Sequence, residues 1–307
     1  MVADRSEASA TAWPRPLLIA DDFGLNAGCD RAISELAGMD RLSGTSAMVN
    51  FDSWAETAAA LRQLRPRIAI GLHVNLTEGV PLTAPRPDNG EPAQFQSMTA
   101  LVLRAFAKRL HQPSVVAEIA AQIERFCQDV GAMPDFIDGH QHIHVLPLVR
   151  DAFFEALTET RVPRHTLLRS PFDRWSRIKQ RGLAAAKSGF IARLSARFAK
   201  NAEQAGFVTN DSFSGVTTLD EKADVRTELE RALSHPGQRH LVMCHPGRDC
   251  PDLLSARRQA EYAALSEWDD IPDLIWRPER EASGIIDWTS PARKPRSTSE
   301  SAAANAG

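Results

Sequence analysis

Four short apolar runs in this chain each end in residues able to do chemistry, and that pattern narrows the fold more than any other feature. Residues 17–20 run into Asp21-Asp22-Phe23-Gly24, and residues 68–72 run into His73-Val74-Asn75. Residues 136–137 run into Asp138-Gly139-His140-Gln141-His142-Ile143-His144, and residues 240–243 into Cys244-His245-Pro246-Gly247. Packing alone does not call for Asp or His at the ends of four separate strands. A parallel β/α barrel does, because its active site gathers at the C-terminal ends of the strands.

The segments between these runs fit the same architecture. Strands are expected at 17–20, 45–49, 68–74, 136–138, 166–169, 207–208 and 240–244. Helices are expected at 27–39, 53–64, 114–130, from about 147, at 220–233 and at 255–265. Asn26 stands as N-cap of the first helix, and Ser53-x-x-Glu56 reads as a capping box, in which each side chain satisfies a free backbone N–H. Strand–helix alternation means parallel strands covered by helices. The fold class expected is therefore α/β, a distorted TIM-like (β/α) barrel with helical insertions, with an open sheet as the alternative. The barrel domain is expected over 16–290, with insertions at 79–113 and 171–206 on one face. A flexible arm at 1–15 and a Ser/Ala-rich tail at 291–307, too polar to offset its ordering entropy, complete the chain.

Composition closes off other classes. The 36 Lys and Arg against 39 Asp and Glu give a net charge of −3, without the basic excess of a nucleic-acid binder. No apolar run approaches the roughly 18 residues of a membrane span, and the N-terminus lacks the apolar core of a secretory leader. Cys29, Cys127, Cys244 and Cys250 show no C-x₂-C spacing, so neither a zinc knuckle nor a disulfide framework is indicated. The expectation is a soluble cytoplasmic protein, with homo-oligomerisation left open.

Each polar motif has a bland and a chemical reading. Asp21 and Asp22, adjacent after a strand, project to different sides: one can hold a cation while the other faces a reacting centre, or the pair simply opens the next helix. His73 is a ligand or a satisfied core histidine. Asn75, on the same strand face as His73, bonds a substrate oxygen or caps a turn. Imidazoles at alternate positions in His140-x-His142-x-His144 share a face if that segment is extended, while Gly139 permits a turn that separates His140 from the other two. His245 is presented at the rim by the Pro246-Gly247 turn. Arg169, at another strand end, pairs with a rim carboxylate or makes a structural ion pair. Trp175, in the second insertion, packs or lines a sugar subsite.

Taken together and in order, these blocks resemble the ChbG/YdjC family of carbohydrate deacetylases. The matching pieces are the ADDFG block at 20–24, Gly71-Leu72-His73-x-Asn75-Leu76-Thr77 with Gly79-x-Pro81-Leu82, the Asp138-to-His144 block with Pro147, and Cys244-His245-Pro246. The resemblance implies a barrel enzyme that removes N-acetyl groups from amino sugars with one divalent metal. By position, Asp22, His73 and His140 match the family's metal ligands and Asp21 its catalytic base. His142 and His144, with Asn75, are expected on the substrate side. Arg169 would orient Asp21, as in the related polysaccharide deacetylases, and His245 is the candidate acid for the leaving amine. Mg²⁺ follows from the resemblance, whereas two imidazoles and one carboxylate fit Zn²⁺ better on ligand softness. Two rivals remain: an amidohydrolase-type C–N hydrolase with a dinuclear centre, and a catalytically silent sugar- or metal-binding protein.

Overall fold

The computed structural model describes residues 12–84, 93–218, 220 and 223–289. Most of the expected arm, the whole of the expected tail, and residues 85–92 of the first insertion lie outside the described residues. The elements, in chain order, are β1 (Leu17–Phe23), α1 (Ala27–Gly38), β2 (Gly44–Ala47), α2 (Trp54–Leu64), β3 (Ala69–Val74), α3 (Met98–Phe106), α4 (Gln112–Val130) and β4 (Phe136–Gly139). A 3₁₀ turn over His140–Val145 leads to α5 (Val149–Glu159), β5 (Leu167–Leu168), α6 (Trp175–Arg181), α7 (Ala185–Gln204), β6 (Val208–Thr209) and β7 (Ser212–Ser214). The chain ends in α8 (Val225–Leu233), β8 (His240–Cys244), α9 (Ser255–Ser266) and α10 (Ile271–Leu274).

All eight strands pair in parallel, in the order β6-β5-β4-β3-β2-β1-β8-β7. The two edges of this sheet are one piece of chain: β6 adds to β5, and two residues later β7 adds to β8. The sheet therefore curls on itself as a barrel closed by a single broken strand. Asn210 holds the break: its side-chain carbonyl accepts from the Ser170 N–H (2.8 Å), while its amide donates to Ser170 O (2.7 Å) and Ser212 O (3.0 Å). A side-chain amide thus replaces the missing rungs of the backbone ladder.

The strands are buried on both faces, as parallel strands under helices must be. One core layer lies between sheet and helices and includes Leu18, Ile33, Leu61, Ile70, Ile119 and Ile137. A second gathers alternate strand residues, Leu17, Ile19, Ala69, Phe136, Leu167 and Leu241, inside the barrel. Gly71 is required there: a Cβ at that position would come within 2.4 Å of the Phe136 ring. Trp13, Trp276 and Trp288 plug the base of this layer, the Trp13 indole donating to Trp288 O (2.9 Å). Trp13 is thus packed into the barrel, inside the stretch expected to be a flexible arm.

Of the local expectations, one is met and others change. Asn26 caps α1, accepting from the Gly28 and Cys29 N–H groups. Ser53 makes no side-chain cap on α2, because the helix begins out of a turn whose φ and ψ at Ser53 are −73° and 5° rather than extended. The histidine run is not an extended strand. It is a 3₁₀ turn in which Gln141 and His142 adopt left-handed backbone angles.

Candidate active site

The inward alternation of the strands carries each functional residue to the same end of the barrel. Leu17 and Ile19 lead to Asp21, Ala69 and Gly71 to His73, Phe136 to Asp138, Leu167 to Arg169, and Leu241 and Met243 to His245. Residues two apart share a strand face, so the apolar interior becomes polar at its C-terminal rim without any change of register. Asp22 breaks the alternation. Its φ of 70° lies in the left-handed region, and the β1–β2 register slips between Ala20 and Phe23. This kink brings the Asp22 carboxylate round to the same opening as its neighbour.

There, Asp22 Oδ1 lies 3.1 Å from His140 Nδ1 and 3.6 Å from His73 Nε2. The two ring nitrogens are 3.3 Å apart. All three residues are buried, and Asp22 Oδ1 has no hydrogen-bond partner. Metal–ligand bonds of about 2.1 Å set neighbouring donors about 3.0 to 3.4 Å apart in octahedral or tetrahedral geometry. Two of the three observed spacings fall in that range and the third, 3.6 Å, lies just above it. The orphaned oxygen and two converging nitrogens fit a divalent cation, and the nitrogen-rich donor set suits zinc, iron, cobalt or nickel better than magnesium.

Around the three donors is a second layer, of which the sequence assigned Arg169 but neither Asp138 nor Arg258. Asp138 Oδ1 meets His73 Nδ1 at 2.5 Å, with Ser46 Oγ at 3.2 Å from the same nitrogen. That contact turns His73 Nε2 toward Asp22, as carboxylate partners of metal-binding histidines do. Arg169, fully buried, grips Asp21 with both terminal nitrogens (2.6 and 2.8 Å) and pairs through Nε with Asp138 (2.9 Å). Arg258, from α9, donates to Asp22 Oδ2 at 2.7 Å. Asp138 stood within a readable block, whereas Arg258 lies in the first turn of α9 beside Arg257 and no motif marks it.

The electrostatics follow from these pairs. Burial alone would raise the Asp21 carboxyl, but Arg169 and then His73 hold it well below the usual carboxylate range. Asp22 is likewise held low against burial by His140 and Arg258. His73 is pushed up, the burial penalty being overcome by Asp138 and Asp21.

The remaining expected site residues divide. His245 sits half-buried at the end of β8, its backbone N–H held by Glu261 (2.5 Å), and its imidazole contributes to the field at Asp21 and Asp22. His142 stands edge-on to Phe213 at 5.5 Å, its Nδ1 buried and without a partner. Asn75 spends its amide in a turn: Oδ1 accepts from the Thr77 and Glu78 N–H groups and Nδ2 donates to Glu78 O. His144 is turned away from the opening: Nε2 meets Arg169 O at 3.0 Å and Phe153 and Phe198 flank its ring. The tight return of the chain over His144 is what Gly139 allows, since a Cβ there would lie 2.7 Å from His144 Nδ1.

Known proteins resemble this chain over most of its described length. The family model described as YdjC-like protein matches residues 17–269. A carbohydrate deacetylase of Mus musculus is 32% identical over 282 residues, covering 86% of this chain and 88% of its own length. A chitooligosaccharide deacetylase of Yersinia enterocolitica is 33% identical over 153 residues, covering 48% of this chain and 58% of that protein. Among solved structures, one from Enterococcus faecalis V583, whose description proposes cellobiose-phosphate cleavage, superposes with a TM-score of 0.61. That match has 19% identity, covers 88% of this chain and 95% of the other, and bears on the fold alone.

Proposed function

The chain belongs to the YdjC-like family, and from that premise we propose that it hydrolyses the N-acetyl group of an amino sugar or oligosaccharide, releasing acetate and a free amine. One observation carries the reading: three donors at coordination spacing, Asp22, His73 and His140, stand beside an aspartate clamped by arginine. The names of the relatives supply the substrate class.

An amide is a poor electrophile and an amine a poor leaving group. A divalent cation held by Asp22, His73 and His140 would supply Lewis acidity, polarising the acetyl carbonyl and lowering the pKa of water, to about 7 in the best zinc cases. Asp21 accepts the proton of the attacking water at its carboxylate. A carboxylate held so low is a weak base and takes a proton only from water already made acidic, which is why Asp21 and the cation ligands share one wall. Arg169 keeps Asp21 ionised and fixed in direction. His245 delivers a proton to the departing nitrogen. His142, with its free Nδ1, lines the substrate side, Asn75 shapes the rim, and His144 steadies Arg169.

The dinuclear alternative is disfavoured by charge. The second grouping, Asp21, His73 and Asp138, shares His73 with the first, and Arg169 is already paired with both its carboxylates. The activity is tested by incubating the protein with N-acetylglucosamine and its oligomers and following acetate release and a loss of about 42 Da per acetyl group by mass spectrometry. Release supports the reading. Binding without release would favour a silent sugar-binding protein. Metal analysis of protein purified without added metal identifies the ion, zinc or magnesium.

A further inference from the structure

The Asp22 carboxylate stands at a kink rather than within a regular strand, so strand geometry does not by itself dictate which oxygen it presents. Its two oxygens nevertheless have sharply different surroundings. Oδ2 accepts from Arg258 Nη2 at 2.7 Å, while Oδ1 is buried, free of hydrogen bonds and directed at His140 and His73. We infer that Arg258 is a positioning residue for the cation: by occupying Oδ2 it makes Asp22 a one-oxygen ligand. The inference rests on the metal reading above and deepens it.

Arg258 is itself held from several sides. Its side chain is 3% exposed, and its Nε donates to Asp252 Oδ2 at 3.0 Å. Its backbone carbonyl accepts from the Gly247 N–H (3.0 Å), in the turn that follows His245. That turn is tightly seated, since a Cβ on Gly247 would lie 3.1 Å from Arg258 Cβ and 2.5 Å from Cys250 Sγ. Asp252 also accepts from the Asn26 amide at 3.4 Å, next to the start of α1. The guanidinium therefore ties the end of β1, which bears Asp22, to the end of β8, which bears His245.

Two consequences bear on the chemistry. A carboxylate that gives one oxygen leaves the cation more open positions for water and for an acetyl oxygen than one that chelates with both. In addition, three carboxylates, Asp21, Asp22 and Asp138, face two guanidiniums, Arg169 and Arg258. The carboxylates around the site are therefore largely balanced before any divalent ion arrives, and the ion would keep most of its positive charge for polarising the substrate. A purely structural ion pair between β1 and α9 would have neither effect.

The test is a Mn²⁺ titration of chelator-stripped, full-length protein, with free Mn²⁺ counted by electron paramagnetic resonance. Thiolates hold Mn²⁺ poorly, so the nearby Cys29 and Cys250 do not compete. Wild type should bind one ion per chain, and Arg258→Met, which frees Oδ2 to chelate and removes a positive charge from beside the ion, should bind more tightly, by about tenfold or more. Arg258→Lys, which keeps the charge and one donor, should stay near the wild-type affinity. Thermal melts of the stripped proteins establish that each variant folds. If Arg258→Met does not fold, Arg258→Gln, which removes the charge but keeps an amide donor, should tighten binding by a smaller factor. Wild-type or weaker affinity in a folded Arg258→Met, or in Arg258→Gln when that variant stands in for it, would overturn the inference, as would Arg258→Lys binding as tightly as the Met variant. A wild type that binds no ion would instead overturn the metal reading itself.

Discussion

Asp21 and Asp22 are neighbours in sequence with different tasks, and backbone geometry separates them. Asp21 continues the inward face of β1 into the Arg169 clamp, while Asp22, at a φ of 70°, is swung to His140 and Arg258. Their isosteric amides should therefore behave differently. Asp21→Asn should lower turnover by about 10²–10⁴-fold, the usual worth of a general base, or about 3 kcal/mol or more of barrier, while the protein still binds one Mn²⁺. Wild-type turnover in that variant would remove Asp21 from the base role. The residues of this centre were legible where they end a strand, as Asp21, Asp22, His73 and His140 do. Arg258 was not, because it comes from the first turn of α9, outside any strand-end motif, and acquires its role only when the fold brings it to Asp22.

Elements were legible in proportion to their length and periodicity. The apolar runs of β1, β3 and β8 and the long stripe of α4 announce themselves. The two-residue β6 is expected one residue early, at 207–208, and the three-residue β7 not at all, since a broken strand carries no period of its own and is defined by the neighbours it joins. The histidine run misleads for a related reason: alternation suggests a strand, but the chain after Gly139 turns back on itself and left-handed angles at Gln141 and His142 interrupt the face. Within β3, Gly71 is fixed by packing against β4. Gly71→Ala should destabilise the protein by about 1–3 kcal/mol through overpacking against Phe136, measured as a lower urea midpoint at unchanged slope. An unchanged midpoint would mean that the Phe136 ring moves aside freely.

At the scale of the whole molecule, stability should depend on pH through histidines buried in neutral form. Burial, chiefly, and then Arg169 lower His144 to about 3. Burial and then Arg181 lower His240, set between Ser212 and Ser214, to about 4. The unfolded chain binds these protons near pH 6.5, before the folded one does, so their contribution is complete above that pH and shrinks as pH falls toward 4. Urea unfolding of metal-free protein should lose about 2 kcal/mol per histidine between pH 6.5 and 5. Equal stability at the two values would mean that one or both rings are protonated in the folded state. The contribution of His73 has the opposite sign, being complete below about 6.5 and lost as pH rises through its raised value.

The fold, the Arg169 clamp and the Arg258 tie all converge on one place, the space between Asp22 Oδ1, His73 Nε2 and His140 Nδ1. Diffraction at a wavelength chosen for manganese, from crystals soaked in Mn²⁺, examines that space directly. The account predicts a single strong anomalous peak per chain within bonding distance of all three atoms. A peak elsewhere, or two peaks sharing His73, would contradict it.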